Sequence, residues 1–496
     1  MARARGMTVT AGGAPWHGGD PGWVVLAGFV VAVMLARIAI LAVSASELSF
    51  DEAQYWAWSR DLAFGYFTKP PMIAWAMALE EAVCGTGATC LRAGSAVVHA
   101  ATSLVLAAVA GRLYGRATGF WTAVFYTIAP GIALSAFLMT TDVLLLFWWS
   151  VALYALVRHL ERPGWASALS FGLACGLGLN AKYAMIYLPA MVALAAIAEP
   201  GVRRAVTRIE SAAALVLMAA LIAPNMLWNL ANGMATFVHT GDNIGWGLER
   251  LNAVKGLSFF AAQFAVAGPV VFAVMLGALA PGWRSERPAT DRLLLFLSLP
   301  LVAALTVQGF LAQANANWAA PAHLAGLVLA TALIVRMPTG LAFAANLVIC
   351  GALTLALWIG TATFDPTAAS GPTRKLRELG GWAEAADALA AVAGERAADT
   401  IVTAGRPLTA AMIYALRDRP VTVLAYLPPG AAPSDQFQLD RPWRAGDASA
   451  GTLLFGFSAD QAARLGAHVV ATIDAPIYMS VGRRMDVYGF AAAPVR

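Results

Sequence analysis

Two adjacent carboxylates, Asp51 and Glu52, stand in Ser49-Phe50-Asp51-Glu52-Ala53-Gln54-Tyr55-Trp56, just after the first strongly apolar run of the chain. An acid in this position can be a helix cap, since a carboxylate at a helix N-terminus accepts from unpaired backbone N–H groups. The context adds chemistry to that bland role. Fifteen residues after Gln54 comes Lys69, in Tyr66-Phe67-Thr68-Lys69-Pro70-Pro71. An interfacial lysine can simply snorkel to headgroups, but one stiffened by two prolines beside an acidic pair is suited to hold a phosphate next to a base. A third group, Asp142 in Leu138-Met139-Thr140-Thr141-Asp142, lies in a very short connection between two apolar runs. An ionisable side chain at such an edge is costly unless it is paired, and Asp142 is expected near Asp51.

The elements that must position these groups lie in lipid. Of 496 residues 59% are apolar and only 12% charged, with a mean hydropathy of +0.67, which excludes an ordinary soluble domain. The formal charge of +5 is spread in short basic clusters between apolar runs. A nucleic-acid binder would gather them on one face, so no nucleic-acid partner is expected.

Apolar runs recur at 23–43, 96–113, 118–138, 143–157, 165–180, 183–198, 211–230, 258–280, 293–311, 319–335 and 340–361, which predicts about eleven spans and at most thirteen. The first run is followed by Val43-Ser44-Ala45, which loosely imitates a signal-peptidase site. Its length and the internal Arg37 favour an uncleaved span. Arg112/Arg116, Arg158/Arg162, Arg203/Arg204/Arg208, Arg284/Arg287/Arg292 and Arg336 fall in alternate connections, on the side of Arg3 and Arg5. The positive-inside rule makes that side cytoplasmic. The opposite side receives 44–95, 138–142, 231–256, 312–317 and everything after 363, where nearly all the unusual polar residues lie.

The first outer loop, 44–95, is rich in aromatics, and its expected helices at 51–60 and 71–82 suit the membrane interface. After Phe364 the composition is that of a soluble domain. Strands expected at 400–404, 421–426, 453–457 and 469–473 alternate with helices at 375–397, 407–417 and 459–465, which predicts a small α/β domain with a partly parallel sheet. The chain thus divides into a membrane domain, 1–363, and a second domain, 364–496, that shapes an acceptor cleft or stabilises the first. Cys175 and Cys350 sit inside apolar runs and read as packing residues. Cys84 and Cys90, in a polar loop, are left between a disulfide and two thiols.

Taken together, Asp51-Glu52, Tyr66 with Lys69-Pro70, Thr141-Asp142, Lys182-Tyr183 and Asn317-Trp318-Ala319-Ala320-Pro321 resemble the GT-C superfamily of integral-membrane glycosyltransferases. The likeness is to the polyprenyl-phosphate-sugar branch, which holds the protein O-mannosyltransferases and the lipid A aminoarabinose transferases. Each motif is weak, but they stand in family order over the first 320 residues. The resemblance implies a GT-C fold with a small C-terminal periplasmic α/β domain, in the bacterial inner membrane. It makes Asp51 the acid/base carboxylate, with Glu52 and Asp142 beside it. Lys69, Tyr66, Lys182 and Tyr183 would hold the donor's lipid phosphate, and Arg250 could approach it. Asn317 and Trp318 would line the substrate pocket, and His239, a loop histidine, either touches the sugar or is only solvated.

That chemistry meets an independent requirement. A polyprenyl phosphate leaving group needs cations as its charge develops, and an acceptor hydroxyl needs a carboxylate for its proton. No second carboxylate offers itself as a dedicated nucleophile, so a single displacement with inversion is expected. A divalent cation on Asp51, Glu52 or Asp142 is left open, while a His/Cys zinc pattern is missing from the sequence. The expected partners are a polyprenyl-phosphate sugar donor, membrane lipids and an envelope acceptor, lipid A or lipopolysaccharide first and a protein hydroxyl second. A transporter or flippase would show repeated halves and ionisable residues at span centres. An inert scaffold would leave the Asp-Glu, Lys-Pro-Pro and Thr-Asp elements unexplained.

Overall fold

The computed structural model describes residues 22–245, 251–280, 287–366, 376–477 and 484–491, with only the backbone for 242–244. Helix α1 spans Trp23–Val43, α2 Phe50–Ser59, α3 Met72–Cys84 and α4 Ala88–Tyr114. Next come α5 Arg116–Ile128, α6 Pro130–Ser135, α7 Thr141–Glu161, α8 Trp165–Ala181, α9 Tyr187–Ala198, α10 Pro200–Val206 and α11 Ile209–Ala231. The apolar part closes with α12 Ala235–Ile244, α13 Ala253–Ala267, α14 Pro269–Gly277, α15 Ala289–Phe296, α16 Leu299–Leu311, α17 Ala320–Arg336 and α18 Leu341–Ala362. Every expected apolar run falls on helix. Among the described residues six helices are long and apolar enough to cross a membrane, counting α15 and α16 as one. Helices α8, α9 and α17 are shorter.

Two of the breaks within the runs, at Pro130 and Gly268, are explained by backbone chemistry. Between α5 and α6, Pro130 supplies no N–H, and the carbonyl of Thr127 left near the break accepts from the buried Arg37 Nη2 of α1 at 2.8 Å. Between α13 and α14 the chain bends by 114° at Gly268-Pro269. Gly268 has φ +94°, and a Cβ there would stand 2.8 Å from Cys350 Sγ, so a side chain is disfavoured twice.

The chain forms two compact units. The first comprises the segments up to Ala42, Lys69–Ile73 and Arg92–Gly360. Its core holds Phe125, Trp149, Phe272, Leu327 and Leu329 among many aliphatic residues. Small residues let α8 approach α11 closely: a Cβ on Gly172 would stand 2.3 Å from the Ala214 carbonyl oxygen. Asn180 Nδ2 adds an interhelical hydrogen bond to Leu221 O at 2.9 Å. At one end of this unit Arg112 pairs with Glu161 at 2.5 Å, Arg292 with Glu199 at 2.6 Å, and Tyr114 donates to Asp291 at 2.7 Å. The Arg336 guanidinium lies 5.1 Å from the Tyr114 ring centre. These contacts gather the arginine-bearing connections at one end.

The second unit comprises Val43–Thr68, Ala74–Leu91 and Thr361–Arg496, so much of the segment 44–95 folds with the C-terminal segment. Its helices are α2, most of α3, α19 Trp382–Glu395, α20 Arg406–Ala415, α21 Gln436–Asp440 and α22 Ala459–Arg464. The strands are β1 Thr400–Thr403, β2 Thr422–Tyr426, β3 Pro442–Trp443, β4 Thr452–Phe455, β5 His468–Asp474 and β6 Arg484–Gly489, in the order β3-β2-β1-β4-β6-β5. Strands β3, β2, β1 and β4 run parallel, while β6 is antiparallel to β4 and β5. The four expected strands are present. Strands β3 and β6 were not expected, since Pro442-Trp443 is too short for an alternating pattern. Of the helix expected over 375–397, residue 375 lies outside the described residues and the α-helix starts at Trp382, just after Gly381 adopts φ +85°. Trp56 of α2 meets Tyr414 of α20 edge-on at 5.1 Å, and Cys84 and Cys90 form a disulfide.

Candidate active site

In the second unit the site is built on the start of α2. Ser49 caps it: its Oγ accepts from Glu52 N at 3.3 Å, and Glu52 Oε2 accepts in return from Ser49 N at 3.0 Å. This reciprocal capping box fixes the first turn. Glu52 is buried within it, and its Oε2 accepts in the cap. One residue earlier, Asp51 points elsewhere. Its Oδ1 accepts from Arg406 Nη1 at 2.8 Å, its side chain is 46% exposed, and Oδ2 makes no hydrogen bond among the described residues.

Arg406 also donates from Nη1 to Gln54 Oε1 at 2.9 Å, and its guanidinium sits 5.2 Å from the Phe50 ring centre. Gln54 Nε2 in turn lies 3.5 Å from Thr68 Oγ1, and Thr68 immediately precedes Lys69. The backbone N–H of Phe67 donates to Gln436 Oε1 at 2.7 Å. Tyr66 is used inside the loop itself. Its hydroxyl lies 3.1 and 3.0 Å from the carbonyls of Trp58 and Asp61, and its ring stacks on Trp58 with centres 4.6 Å apart. Burial pushes that hydroxyl up to about 12, so it stays a neutral donor. Glu80 on α3 is raised to about 8, first by burial and then by the Glu52 carboxylate.

In the first unit, polar groups converge at the end opposite the arginine connections. Asp142, in the first turn of α7, accepts from Lys182 Nζ on Oδ1 at 2.7 Å and from Asn317 Nδ2 on Oδ2 at 2.8 Å. Lys182 and Asp142 are 20% and 15% exposed, so the pair is largely out of water. Lys182 lies in extended backbone just past α8, which is why its side chain can turn towards α7. The next residue, Tyr183, donates to Asn225 Oδ1 at 2.6 Å, accepts from Asn229 Nδ2 at 3.2 Å, and stacks on Phe237 with centres 5.0 Å apart. Segment Lys69–Ile73 also belongs to this unit. It is anchored where Met72 Sδ accepts from Trp148 Nε1 at 3.2 Å on α7, the helix that begins beside Asp142.

Trp318 packs half-buried on the helical core, and His239 is half-buried on α12. Arg250 lies outside the described residues. Among the described residues no group of three or more His, Cys, Asp or Glu is placed to hold a metal ion. Sequence reasoning missed Arg406, Asn225 and Asn229. The asparagines lie on an apolar helix, where a polar residue needs a partner. Arg406 carried a signal too, because a cation in the first turn of a helix opposes the macrodipole and needs another reason to be there.

Chemically, one unit offers a held carboxylate with an oxygen to spare, and the other a lysine braced by Asp142. Lys182 gives Asp142 one of its ammonium N–H groups and makes no other hydrogen bond among the described residues. Residues 68–228 match the family described as dolichyl-phosphate-mannose-protein mannosyltransferase. The lipid A galacturonosyltransferase RgtD of Rhizobium johnstonii is 36% identical over 403 residues, which cover 81% of this chain and 84% of that protein. The fold is similar to that of ArnT from Cupriavidus metallidurans, at TM-score 0.65 and 16% identity in the apo state and 0.64 and 17% bound to undecaprenyl phosphate. Either comparison covers 96% of this chain and 99% of that one.

Proposed function

This chain belongs to the GT-C superfamily of polyprenyl-phosphate-sugar-dependent membrane glycosyltransferases, in the family of the rhizobial lipid A galacturonosyltransferase, and we propose that it transfers a galacturonosyl unit from a polyprenyl-phosphate donor to lipid A. The observation that carries the mechanism is the Asp51 carboxylate, with Oδ1 held by Arg406 and Oδ2 left to accept a proton. The acceptor hydroxyl attacks the anomeric carbon as its proton passes to Asp51. The bond from that carbon to the phosphate oxygen breaks, the phosphate leaves with the bonding pair, and the configuration inverts. Lys69 and Lys182 stabilise the departing phosphate, most strongly when its charge is greatest. Asp142 and Asn317 keep Lys182 extended.

The reaction takes place on the periplasmic face in this reading, with about eleven crossings and a cytoplasmic amino terminus. Three observations support it. The arginine-bearing connections gather at one end of the helical unit, as a cytoplasmic face requires. Segments that follow α1 and α18 share one compact unit, so an even number of crossings lies between them. The Cys84–Cys90 disulfide in that unit suits an oxidising compartment.

The test is Asp51→Asn in purified, detergent-solubilised protein. Transfer should fall by about 10²- to 10⁴-fold with unfolding unchanged, and near-normal turnover would remove Asp51 from the mechanism. Lys69→Ala should likewise lower transfer from the lipid-linked donor. Transfer from a soluble nucleotide sugar, with none from the lipid-linked donor, would sink the donor assignment.

A further inference from the structure

Arg406 holds Asp51 with only one corner of its guanidinium. Nη1 makes both hydrogen bonds, to Asp51 Oδ1 and Gln54 Oε1, whereas Nε and Nη2 make none among the described residues although the side chain is only 28% exposed. The Nε–Nη2 edge is the face that grips a carboxylate with two parallel hydrogen bonds. It is also pinned, because the Phe50 ring covers one side of the plane and Gln54 fixes its rotation. The backbone places the cation there against its electrostatic preference. Gly405 has φ +88°, Pro407 follows in the first turn of α20, and a positive charge at that helix end opposes the macrodipole. Two other cations of this unit are engaged otherwise: Arg60 pairs with Glu81, and Arg417 bonds the Tyr414 carbonyl at 2.8 Å. Asp435, the other acid close to Arg406, is occupied as the cap of α21, accepting from Phe437 N at 2.8 Å and Gln438 N at 3.0 Å.

We propose that Arg406 determines sugar specificity by receiving the carboxylate of a uronic-acid donor on its Nε–Nη2 edge while Nη1 holds Asp51. The inference rests on the galacturonosyl reading above. In a uronosyl ring the anomeric carbon and the carbon bearing the carboxyl flank the same ring oxygen. A base serving the anomeric centre and a cation reading the carboxylate must therefore be neighbours, as Asp51 and Arg406 are. The guanidinium also separates two carboxylates that would otherwise repel each other. A neutral hexose would leave this edge without its partner, and an amino sugar would bring a like charge to it.

The experiment compares wild type, Arg406→Gln and Arg406→Lys with two synthetic donors, polyprenyl-phosphate galacturonate and polyprenyl-phosphate galactose, and the same lipid A acceptor. Wild type should prefer the uronosyl donor. Arg406→Gln should lower that preference by about 10- to 100-fold, chiefly through the KM of the uronosyl donor, and Arg406→Lys should keep part of it. If a variant is too slow to assay, equilibrium binding of both donors to Asp51→Asn and Asp51→Asn/Arg406→Gln proteins is read by the same ratio. An unchanged preference, with both donors weakened equally, would overturn the inference and leave Arg406 serving Asp51 alone. Wild-type protein that transfers galactose and no galacturonate would instead overturn the functional reading on which it rests.

Discussion

Replacing Lys182 by methionine removes the charge that faces Asp142 while keeping a chain of similar length. At 2.7 Å and an effective dielectric near 20, the two charges attract by about 6 kcal/mol. Both side chains are less than a quarter exposed, so desolvation cancels much of this. A net value near 2 kcal/mol is left, the usual yield of a charge-assisted hydrogen bond. Lys182→Met should cost more than that, because Asp142 then keeps a buried charge with only the Asn317 amide for support. Asp142→Asn should be costly for the converse reason. The double variant should be less damaged than the sum of the singles, with a coupling of about 2 kcal/mol. The assay is denaturant unfolding of the detergent-solubilised protein, with transfer rates measured on the same four proteins. A coupling within about 0.5 kcal/mol of zero would refute the reasoning, and would mean that the two groups are held by the helices and not by each other.

Gly268→Ala should lower the unfolding temperature through about 1–3 kcal/mol of backbone strain and the contact with Cys350; adding Cys350→Ala should recover only the steric part, and a fully stable single variant would argue against the bend. Glu80, raised to about 8 mainly by burial, contributes stability that is complete below the ordinary carboxylate value of 4.5 and lost as pH rises through 8. Unfolding temperature should therefore fall over that window, and Glu80→Gln should flatten the fall; an identical pH profile would contradict the assignment. A cysteine at Arg204 should be protected from an impermeant thiol reagent in intact cells while one at Ser434, exposed in the second unit, reacts. The opposite labelling would invert the proposed orientation.

What the sequence by itself determined is the kind of solvent each segment prefers and the places where that preference breaks. Hydropathy marked every apolar helix, from Trp23–Val43 to Leu341–Ala362, because twenty residues of lipid-compatible side chain form a local property. Arginines in alternate connections foretold which loops would share an end, and α1–α18 bring them together there. Ordered motifs singled out Asp51, Asp142, Lys182 and Asn317 one at a time. The tertiary structure alone decided their partners. Asp142 meets Asn317 across 175 residues of chain, and Asp51 meets Arg406 across 355. It also separated two neighbouring acids, binding Glu52 into a cap and leaving Asp51 facing a cation. The physical reason is that a charge in a low-dielectric setting is stabilised by whatever group the packing places within hydrogen-bond reach. That group is chosen by helix contacts and sheet topology, and neither is written in the spacing of the residues around the charge.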